Sequence, residues 1–220
     1  LYWENETNFK HNGIGALTES LSAVVVEEAN GIFTLEIRYP ISGRWFSEIT
    51  KLRLIKALTN LGEEEHIFRI DDIVKSSDDK LVTIYASSKS NELAGHIFTE
   101  FNYTGQASQI MTRMKSKITP PTTYNFVSDM NTEVNVEWFM RNVLNSILGQ
   151  EGSLVDKLGG GELRRTNDTI YLYRRRGNEN VARVSETKNL RGLTITESTK
   201  SLITRIQPYT RLQETDSDNE

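Results

Sequence analysis

Short segments that alternate apolar and polar residues, separated by turn residues, dominate the first third of the chain. In the segment 32–39 every second residue from Phe33 onward is apolar and the residues between are polar, which predicts a half-buried strand. Asn30-Gly31 stands before it, and both residues tolerate a positive φ, so a hairpin with the β-branched run Val24-Val25-Val26 is predicted. Pro40 ends the strand because proline has no N–H to donate.

Three further strands are predicted in the first ninety residues. They cover 52–57, 66–74 and 80–86, and the short polar side chains of Ser77-Asp78-Asp79 predict a turn between the last two. Short strands at this regular spacing are typical of a small β-barrel or sandwich.

The periodicity changes in the middle of the chain. A helix is predicted from Thr104 or Gly105 up to Pro120-Pro121, because apolar residues recur there at spacings of three and four. A second helix is predicted over 135–148, with Gly149 as a left-handed C-cap. Their apolar stripes are, respectively, Ala107, Ile110, Met111, Met114 and Ile118, and Val136, Phe139, Met140, Val143, Leu144 and Ile147.

Further strands are predicted over 169–174 and 181–185, and weaker patterns over 193–196 and 202–207. The last residues, 214–220, are acidic and lack any apolar side chain, so we expect a frayed end. The chain is therefore predicted to be α+β. The predicted domains are a β-rich barrel-like domain over 1–92, an α+β insertion domain with two helices over 93–192, and the start of a second barrel with the acidic end over 193–220.

Composition excludes several classes of site. The 220 residues contain no cysteine, so disulfides, thiolate zinc sites and cysteine nucleophiles are excluded. The chain has only three histidines, at 11, 66 and 96, which argues against a multi-histidine metal site. No stretch has the roughly 18 to 20 apolar residues that a membrane-spanning helix needs. No cofactor and no metal are predicted.

Two segments contain residues that bind phosphate in other proteins. Gly159-Gly160-Gly161 lacks the Lys-Ser/Thr close of a P-loop, which favours a tight turn. The arginines of the second segment stand beside two tyrosines and could hold phosphates, but the net charge of −4 favours a solvated or intersubunit patch. These five candidate interface or lumen residues are Arg164, Arg165, Arg174, Arg175 and Arg176.

The histidines and aromatic pairs have ordinary structural interpretations. His66 follows Glu63-Glu64-Glu65, which favours an exposed acidic loop over a metal site, and His96 is expected to be partly buried. Trp45-Phe46 and Trp138-Phe139 are expected to be core residues, with binding anchors as the alternative. No hydroxyl nucleophile stands beside a base, so no catalytic residue is predicted.

Several short motifs occur in an order that resembles the tail-tip (baseplate hub) proteins of tailed phages and prophages, also called prophage tail endopeptidases, tail-associated lysins or phage minor structural proteins. The chain departs from the family pattern at Arg165-Thr166-Asn167-Asp168 and at Ser185-Glu186-Thr187. The matching motifs are Asn30-Gly31-Ile32-Phe33-Thr34-Leu35-Glu36 with Tyr39-Pro40, His66-Ile67-Phe68-Arg69-Ile70, Gly149-Gln150-Glu151-Gly152-Ser153, Gly160-Gly161-Glu162-Leu163, Arg175-Arg176-Gly177, Lys188-Asn189-Leu190, and Thr204-Arg205-Ile206 before Pro208-Tyr209.

This resemblance implies a hub-like fold, with a small β-barrel, an α/β insertion and the start of a second barrel. It implies a homotrimeric ring that joins the distal tail and tail-tube proteins to receptor-binding, fibre or cell-puncturing proteins, with DNA passing through it. The implied location is the virion tail tip, after assembly in the cytoplasm of the bacterial host. Longer members carry a lytic or fibre-like region, which this chain would lack.

The sequence therefore predicts a structural virion protein without catalytic residues. One alternative is the N-terminal part of a tail-associated peptidoglycan endopeptidase, which needs a nucleophile or metal constellation. A second alternative is a carbohydrate- or receptor-binding module, which needs exposed aromatic side chains in a groove.

Overall fold

Five antiparallel strands form one sheet in the spatial order β1-β2-β5-β4-β3. The structure is a computed structural model and describes residues 1–59, 65–149 and 151–177. All five predicted strands are confirmed, with boundaries that move by at most two residues. They are β1 (Ser22–Glu27), β2 (Phe33–Pro40), β3 (Leu54–Leu58), β4 (Glu65–Ser76) and β5 (Leu81–Ser88).

The Asn30-Gly31 hairpin is confirmed. β1 and β2 pair in antiparallel register up to Glu27 opposite Phe33, and Asn30 adopts a left-handed φ of 56° in the turn. The apolar face of β2 is buried, beginning with Phe33 at 2% exposure. Within the described residues β1 and β3 are the two edges of an open sheet, so closure into a barrel stays a prediction.

Two three-stranded sheets follow in the chain. One has the order β7-β6-β9 and the other β10-β11-β8, in which β11 runs parallel to β8. Their inner faces contribute to a single hydrophobic core, and helix α1 (Ala107–Met114) lies in that core and contacts both β6 and β8. The strands are β6 (Ile97–Gln106), β7 (Ile118–Thr119), β8 (Asn125–Ser128), β9 (Glu133–Asn142), β10 (Glu162–Arg165) and β11 (Thr169–Tyr173).

The first predicted helix is confirmed as α1, and every residue of its predicted apolar stripe is buried. Gln106 and Gln109 form a reciprocal capping box at its start. The helix ends at Met114, several residues before the prolines. A short 3₁₀ turn over Lys115–Lys117 and strand β7 occupy the residues between.

The second predicted helix is wrong over residues 135–142, which belong to strand β9; only α2 (Val143–Ile147) is helical. β9 pairs with β6 along its length, and Val136 and Trp138 are buried as alternate residues of a strand. The apolar positions of this segment fit both the helical period of about 3.6 residues and the strand period of two. The long-range pairing with β6 makes the segment a strand. Phe139 and Met140, predicted in the buried stripe, are 76% and 57% exposed.

A third helix, α3 (Leu154–Leu158), was not predicted. The Ser153 side chain caps its start, and Gly159 ends it with a left-handed φ of 70°. The interpretation of Gly159-Gly160-Gly161 as a tight turn is confirmed, since these residues connect α3 to β10. Gly149 also has a positive φ, of 82°, although α2 ends two residues earlier.

Residues 1–177 form one compact unit. The predicted domain boundaries at 92 and 192 stay predictions. The predicted strands 181–185, 193–196 and 202–207, the acidic end 214–220 and the motifs Lys188-Asn189-Leu190 and Thr204-Arg205-Ile206 lie outside the described residues. None of the helices in the described ranges has the length and apolar character required to cross a bilayer.

Tyr124 provides a test of the shared core. Its hydroxyl is buried and has no hydrogen-bond partner among the described residues, and burial raises the pKa of the phenol far above its usual range. Tyr124→Phe removes this unpaired polar group, so we expect no loss of unfolding free energy and a gain of up to about 1 kcal/mol in urea denaturation.

Tyr39→Phe is the matched control. The Tyr39 hydroxyl is equally buried, but it accepts a hydrogen bond from the Trp45 backbone N–H at 3.2 Å and contacts Glu19 Oε1 at 3.3 Å. This substitution should lower the unfolding free energy by about 1 kcal/mol. Equal losses in the two variants would contradict the assignment of an unpaired hydroxyl to Tyr124.

Candidate functional site

Polar side chains join the five-stranded sheet to the β10–β11 hairpin along a line that we call the seam. Two asparagines, two arginines and a histidine form most of its contacts, although they lie up to 146 positions apart in the chain. The seam comprises Glu27, Asn30, Gly31, Phe33, His66, Leu163, Arg165, Asn167 and Arg176.

Asn30 clamps the free edge of β10. Its Nδ2 donates to the Gly161 carbonyl at 2.7 Å, and its Oδ1 accepts from the Leu163 N–H at 2.7 Å. The Gly161 carbonyl and the Leu163 N–H lie on either side of Glu162 at the unpaired edge of β10. The Asn30 amide makes with them the two hydrogen bonds that a neighbouring strand would make. The left-handed backbone of Asn30 in the hairpin turn directs the amide toward β10.

Asn167 makes the corresponding clamp in the opposite direction. Its Oδ1 accepts from the Ile67 N–H at 2.8 Å, and its Nδ2 donates to the Glu65 carbonyl at 2.6 Å. β5 pairs with β4 only from Phe68 onward, so these groups of β4 extend beyond the end of β5. The amide of Asn167 therefore continues the ladder where β5 stops.

Arg165 is a cation buried in the seam, with 9% of its surface exposed. Its Nη2 donates to the Gly31 carbonyl at 2.7 Å, and its guanidinium carbon lies 5.5 Å from the centre of the Phe33 ring. Burial lowers the pKa of the guanidinium, and the Glu27 carboxylate opposes that shift. The partners reduce the cost of burying the charge and hold β10 against the β1–β2 turn.

Arg176 closes the other side of the seam. Its Nη1 donates to Glu27 Oε1 at 2.8 Å and to the Leu163 carbonyl at 3.0 Å. Its backbone N–H donates to Glu162 Oε2 at 2.6 Å. One arginine thus connects the end of β1 to β10 through a half-buried ion pair.

His66 is buried in the seam with 5% exposure, and its Nε2 lies 2.8 Å from Ser88 Oγ. The ring packs against Phe33, with 4.3 Å between ring centres. Burial lowers the pKa of His66 to about 4, with a smaller contribution from the Arg165 charge. The histidine is therefore neutral in the folded protein at physiological pH.

The five predicted site arginines divide into two groups. Arg165 and Arg176 bind partners within the seam, whereas Arg164, Arg174 and Arg175 are exposed. The role of all five as interface or lumen residues stays a prediction.

The exposed arginines lie near a pair of tyrosines. Arg164 is directly opposite Tyr171 in the β10–β11 ladder, so both side chains point away from the core. Tyr171 and Tyr173 stack with ring planes 6° apart and ring centres separated by 5.6 Å.

The remaining sequence predictions have mixed outcomes. His96 is partly buried as expected, with Nδ1 2.6 Å from the Pro120 carbonyl oxygen. Trp138 is a core residue, but Phe139 is not. His66 lies in strand β4, as the predicted strand over 66–74 requires, and its side chain is buried in the seam. Glu65 is exposed but belongs to β4 and not to a loop, and Glu63-Glu64 lie outside the described residues.

Sequence reasoning missed the clamps of Asn30 and Asn167. Both asparagines stand in turns, where the residue type is already explained by local conformation, so no local signal indicates a distant partner. Within the described part of the chain, no group of three or more acidic, histidine or cysteine side chains is arranged to hold a metal ion.

Comparison with known proteins gives one structural likeness. A structure to which the chain is similar is the crystal structure of prophage tail protein gp18 from Listeria monocytogenes EGD-e, with a TM-score of 0.38 and 11% sequence identity, over 72% of this chain and 44% of that one. The likeness therefore spans less than half the length of that protein. No protein-family model and no curated protein sequence matches the chain.

Asn30→Gly tests the first clamp. Glycine accepts the left-handed φ of 56°, so the substitution removes two hydrogen bonds without straining the turn. We expect the unfolding free energy to fall by roughly 1–2 kcal/mol in urea denaturation. Lys80→Gly is the matched control, since Lys80 has a φ of 53° in the exposed β4–β5 turn. An equal loss in both variants would show that the effect comes from glycine alone.

His66 predicts a specific pH dependence of stability. Its pKa of about 4 in the folded protein lies below the ordinary value of 6.5, so the unfolded chain takes up the proton first as the pH falls. Stability should therefore be complete above pH 6.5 and decline by roughly 3 kcal/mol down to about pH 4.

His66→Gln isolates this contribution from the other titrating groups. Between pH 7.5 and 4 the unfolding free energy of the parent chain should fall by roughly 3 kcal/mol more than that of the variant, measured by denaturation at each pH. Parallel pH profiles of the two proteins would refute the buried neutral histidine.

Proposed function

We infer that the chain is a structural component of a phage or prophage tail tip, a baseplate hub protein. In this role three copies form a ring that joins the tail tube to the receptor-binding or cell-puncturing apparatus. The inference rests on the ordered motifs that resemble this family and on the place that these motifs occupy in the fold.

The observation that carries the proposal is the convergence of distant motifs in the seam. Asn30-Gly31, His66-Ile67, Gly161-Glu162-Leu163 and Arg176 belong to four separate motifs of the resemblance. Asn30 bonds to residues 161 and 163, and Arg176 bonds to Leu163 and Glu162. Asn167 connects Ile67 to the same hairpin. These motifs hold sheets in position, which is what an architectural protein requires of them.

The polar groups of the seam satisfy one another. The Asn30 amide uses both its donor and its acceptor on backbone groups, and Arg176 divides its donors between a carboxylate and a carbonyl. Groups that are engaged in this way favour one relative position of the two sheets. A subunit of a closed ring benefits from such rigidity, because a small error in shape accumulates around the ring.

The location is tested by immunoelectron microscopy on phage particles induced from the source bacterium. Antibodies against residues 1–177 should label one end of the tail, because the protein is proposed to lie at the tip. Labelling of the head or along the whole tube, or no labelling of intact particles, would contradict the proposed role.

Multi-angle light scattering of the full-length product tests the ring. We expect the mass of three chains, since a cyclic hub closes by repeating one contact. A monomer that degrades purified peptidoglycan would instead support the endopeptidase alternative, and a monomer that binds cell-wall carbohydrate would support the binding-module alternative.

A further inference from the structure

The sequence contains two Asn-Gly pairs, Asn12-Gly13 and Asn30-Gly31. In such a pair the backbone nitrogen of the glycine can attack the side-chain amide of the asparagine, because glycine has no Cβ to hinder the approach. Ring closure gives a succinimide and releases ammonia, and hydrolysis of the succinimide leaves aspartate or isoaspartate. Both asparagines are exposed in the structure, so exposure does not distinguish their reactivity.

A histidine lies beside the reacting atoms of the first pair. The Gly13 N–H donates to His11 Nδ1 at 2.9 Å, so in this neutral ring Nδ1 carries the lone pair and Nε2 carries the proton. A general base must lie within hydrogen-bond reach of the proton that it removes, and His11 Nδ1 meets this requirement. The proton that has to leave Gly13 during ring closure therefore has an acceptor in place.

Glu6 holds the imidazole in this orientation. Its Oε2 lies 3.3 Å from His11 Nε2, and its Oε1 accepts from the N–H groups of Thr7 and Asn8 at 2.9 Å each. The hydrogen bonds from Asn8 and Thr7 lower the pKa of Glu6, so the carboxylate is ionised at neutral pH. A carboxylate behind an imidazole fixes the tautomer that accepts a proton from a nucleophile, which is the logic of a catalytic triad.

The other two reacting groups are accessible to each other. Among the described residues the Asn12 side-chain amide has no hydrogen-bond partner that would hold it away from Gly13. Gly13 has a left-handed φ of 61°, and a Cβ at this position would clash with the Leu1 carbonyl oxygen. The local backbone therefore requires glycine, the residue that leaves the attacking nitrogen unshielded.

The second Asn-Gly pair lacks this arrangement. Both polar atoms of the Asn30 amide are bound in the seam, to the Gly161 carbonyl and to the Leu163 N–H. The Gly31 N–H donates to the Glu28 carbonyl at 3.1 Å, and a carbonyl oxygen does not act as a base at neutral pH. Attack on Asn30 requires the clamp to open first, so the chain carries its own internal control.

We propose that His11-Asn12-Gly13 is a self-modifying site. His11 Nδ1 takes the proton of Gly13 as the Gly13 nitrogen forms a bond to Asn12 Cγ. The imidazolium returns this proton to Asn12 Nδ2 as the Cγ–Nδ2 bond breaks, and ammonia leaves. Water then opens the succinimide to aspartate or isoaspartate, and His11 is left unchanged. The proposal goes beyond the proposed function and does not depend on it.

The modification changes a loop that is held on both sides. The Tyr2 hydroxyl donates to the His11 carbonyl at 2.6 Å, and the Ile14 N–H donates to the Leu1 carbonyl at 2.8 Å. Isoaspartate adds a methylene group to the backbone between these two contacts. The buried ring of Tyr2 packs beside β3, and the backbones of Tyr2 and Leu54 exchange hydrogen bonds of 2.7 and 3.2 Å. Hydrogen exchange of these two amides should therefore be faster in the reacted chain.

Peptide mapping by mass spectrometry tests the reaction on the folded chain kept at neutral pH. Cleavage after glutamate places the two asparagines in separate peptides, 7–19 and 29–36. Deamidation should be about tenfold or more faster at Asn12 than at Asn30, and the two rates should converge in urea. Equal rates in the folded chain, or an Asn12 that stays intact, would overturn the proposal.

His11→Gln isolates the base. Glutamine can accept the Gly13 hydrogen bond through its side-chain oxygen but cannot take the proton, so the reaction at Asn12 should slow by about tenfold or more. Free imidazole should restore part of the lost rate in His11→Ala. His96→Gln is the matched control and should leave the rates at Asn12 and Asn30 unchanged. An undiminished rate in His11→Gln would exclude His11 as the base and overturn the proposal.

Nitrogen NMR of the His11 ring tests the arrangement without any substitution. The parent chain should carry its ring proton on Nε2, and Glu6→Gln should shift the ring toward the other tautomer and slow the reaction at Asn12 together. A ring protonated on Nδ1 in the parent chain, or a slower reaction in Glu6→Gln without a change of tautomer, would contradict the proposed roles. Circular dichroism verifies that each variant is folded.

Discussion

The buried guanidinium of Arg165 is the constraint on which the arrangement of the sheets depends. A cation with 9% exposure is unfavourable unless its donors and charge find partners. Those partners are the Gly31 carbonyl, the Phe33 ring and the nearby Glu27 carboxylate, all on the β1–β2 hairpin. β10 therefore lies beside that hairpin, and a displacement that kept the guanidinium buried would leave its charge without compensation.

The seam and the two large hydrophobic cores have different physical roles. One core is formed under the five-stranded sheet and the other between the two smaller sheets, and their buried apolar area supplies most of the favourable free energy. Apolar contacts are not directional, so they allow several relative positions of the sheets. The amides of Asn30 and Asn167 are directional and select one of them. This separation of roles explains how a few short polar motifs fix the relative position of two sheets.

Sequence reasoning succeeded where the signal is local. The alternation in β2, the Asn30-Gly31 turn and the apolar stripe of α1 each lie within a few residues, and the structure agrees with all three. It failed at β9, where positions such as Val136 and Met140 satisfy both helical and strand periods. The sequence singled out a cluster of arginines as candidate interface residues, but the burial of Arg165 and the clamps of the asparagines depend on residues one hundred or more positions away.

The sequence by itself determined the strand and turn pattern of the first ninety residues, the first helix, and the exclusion of cysteine chemistry, because these follow from side-chain periodicity and residue type. Only the tertiary structure decided that residues 135–142 pair with β6, that His66 is buried and neutral, and which arginines turn inward. The reason is physical. Burial and pairing depend on the neighbours that the folded chain brings together, and an arginine has the same identity in the sequence whether it faces solvent or a carbonyl.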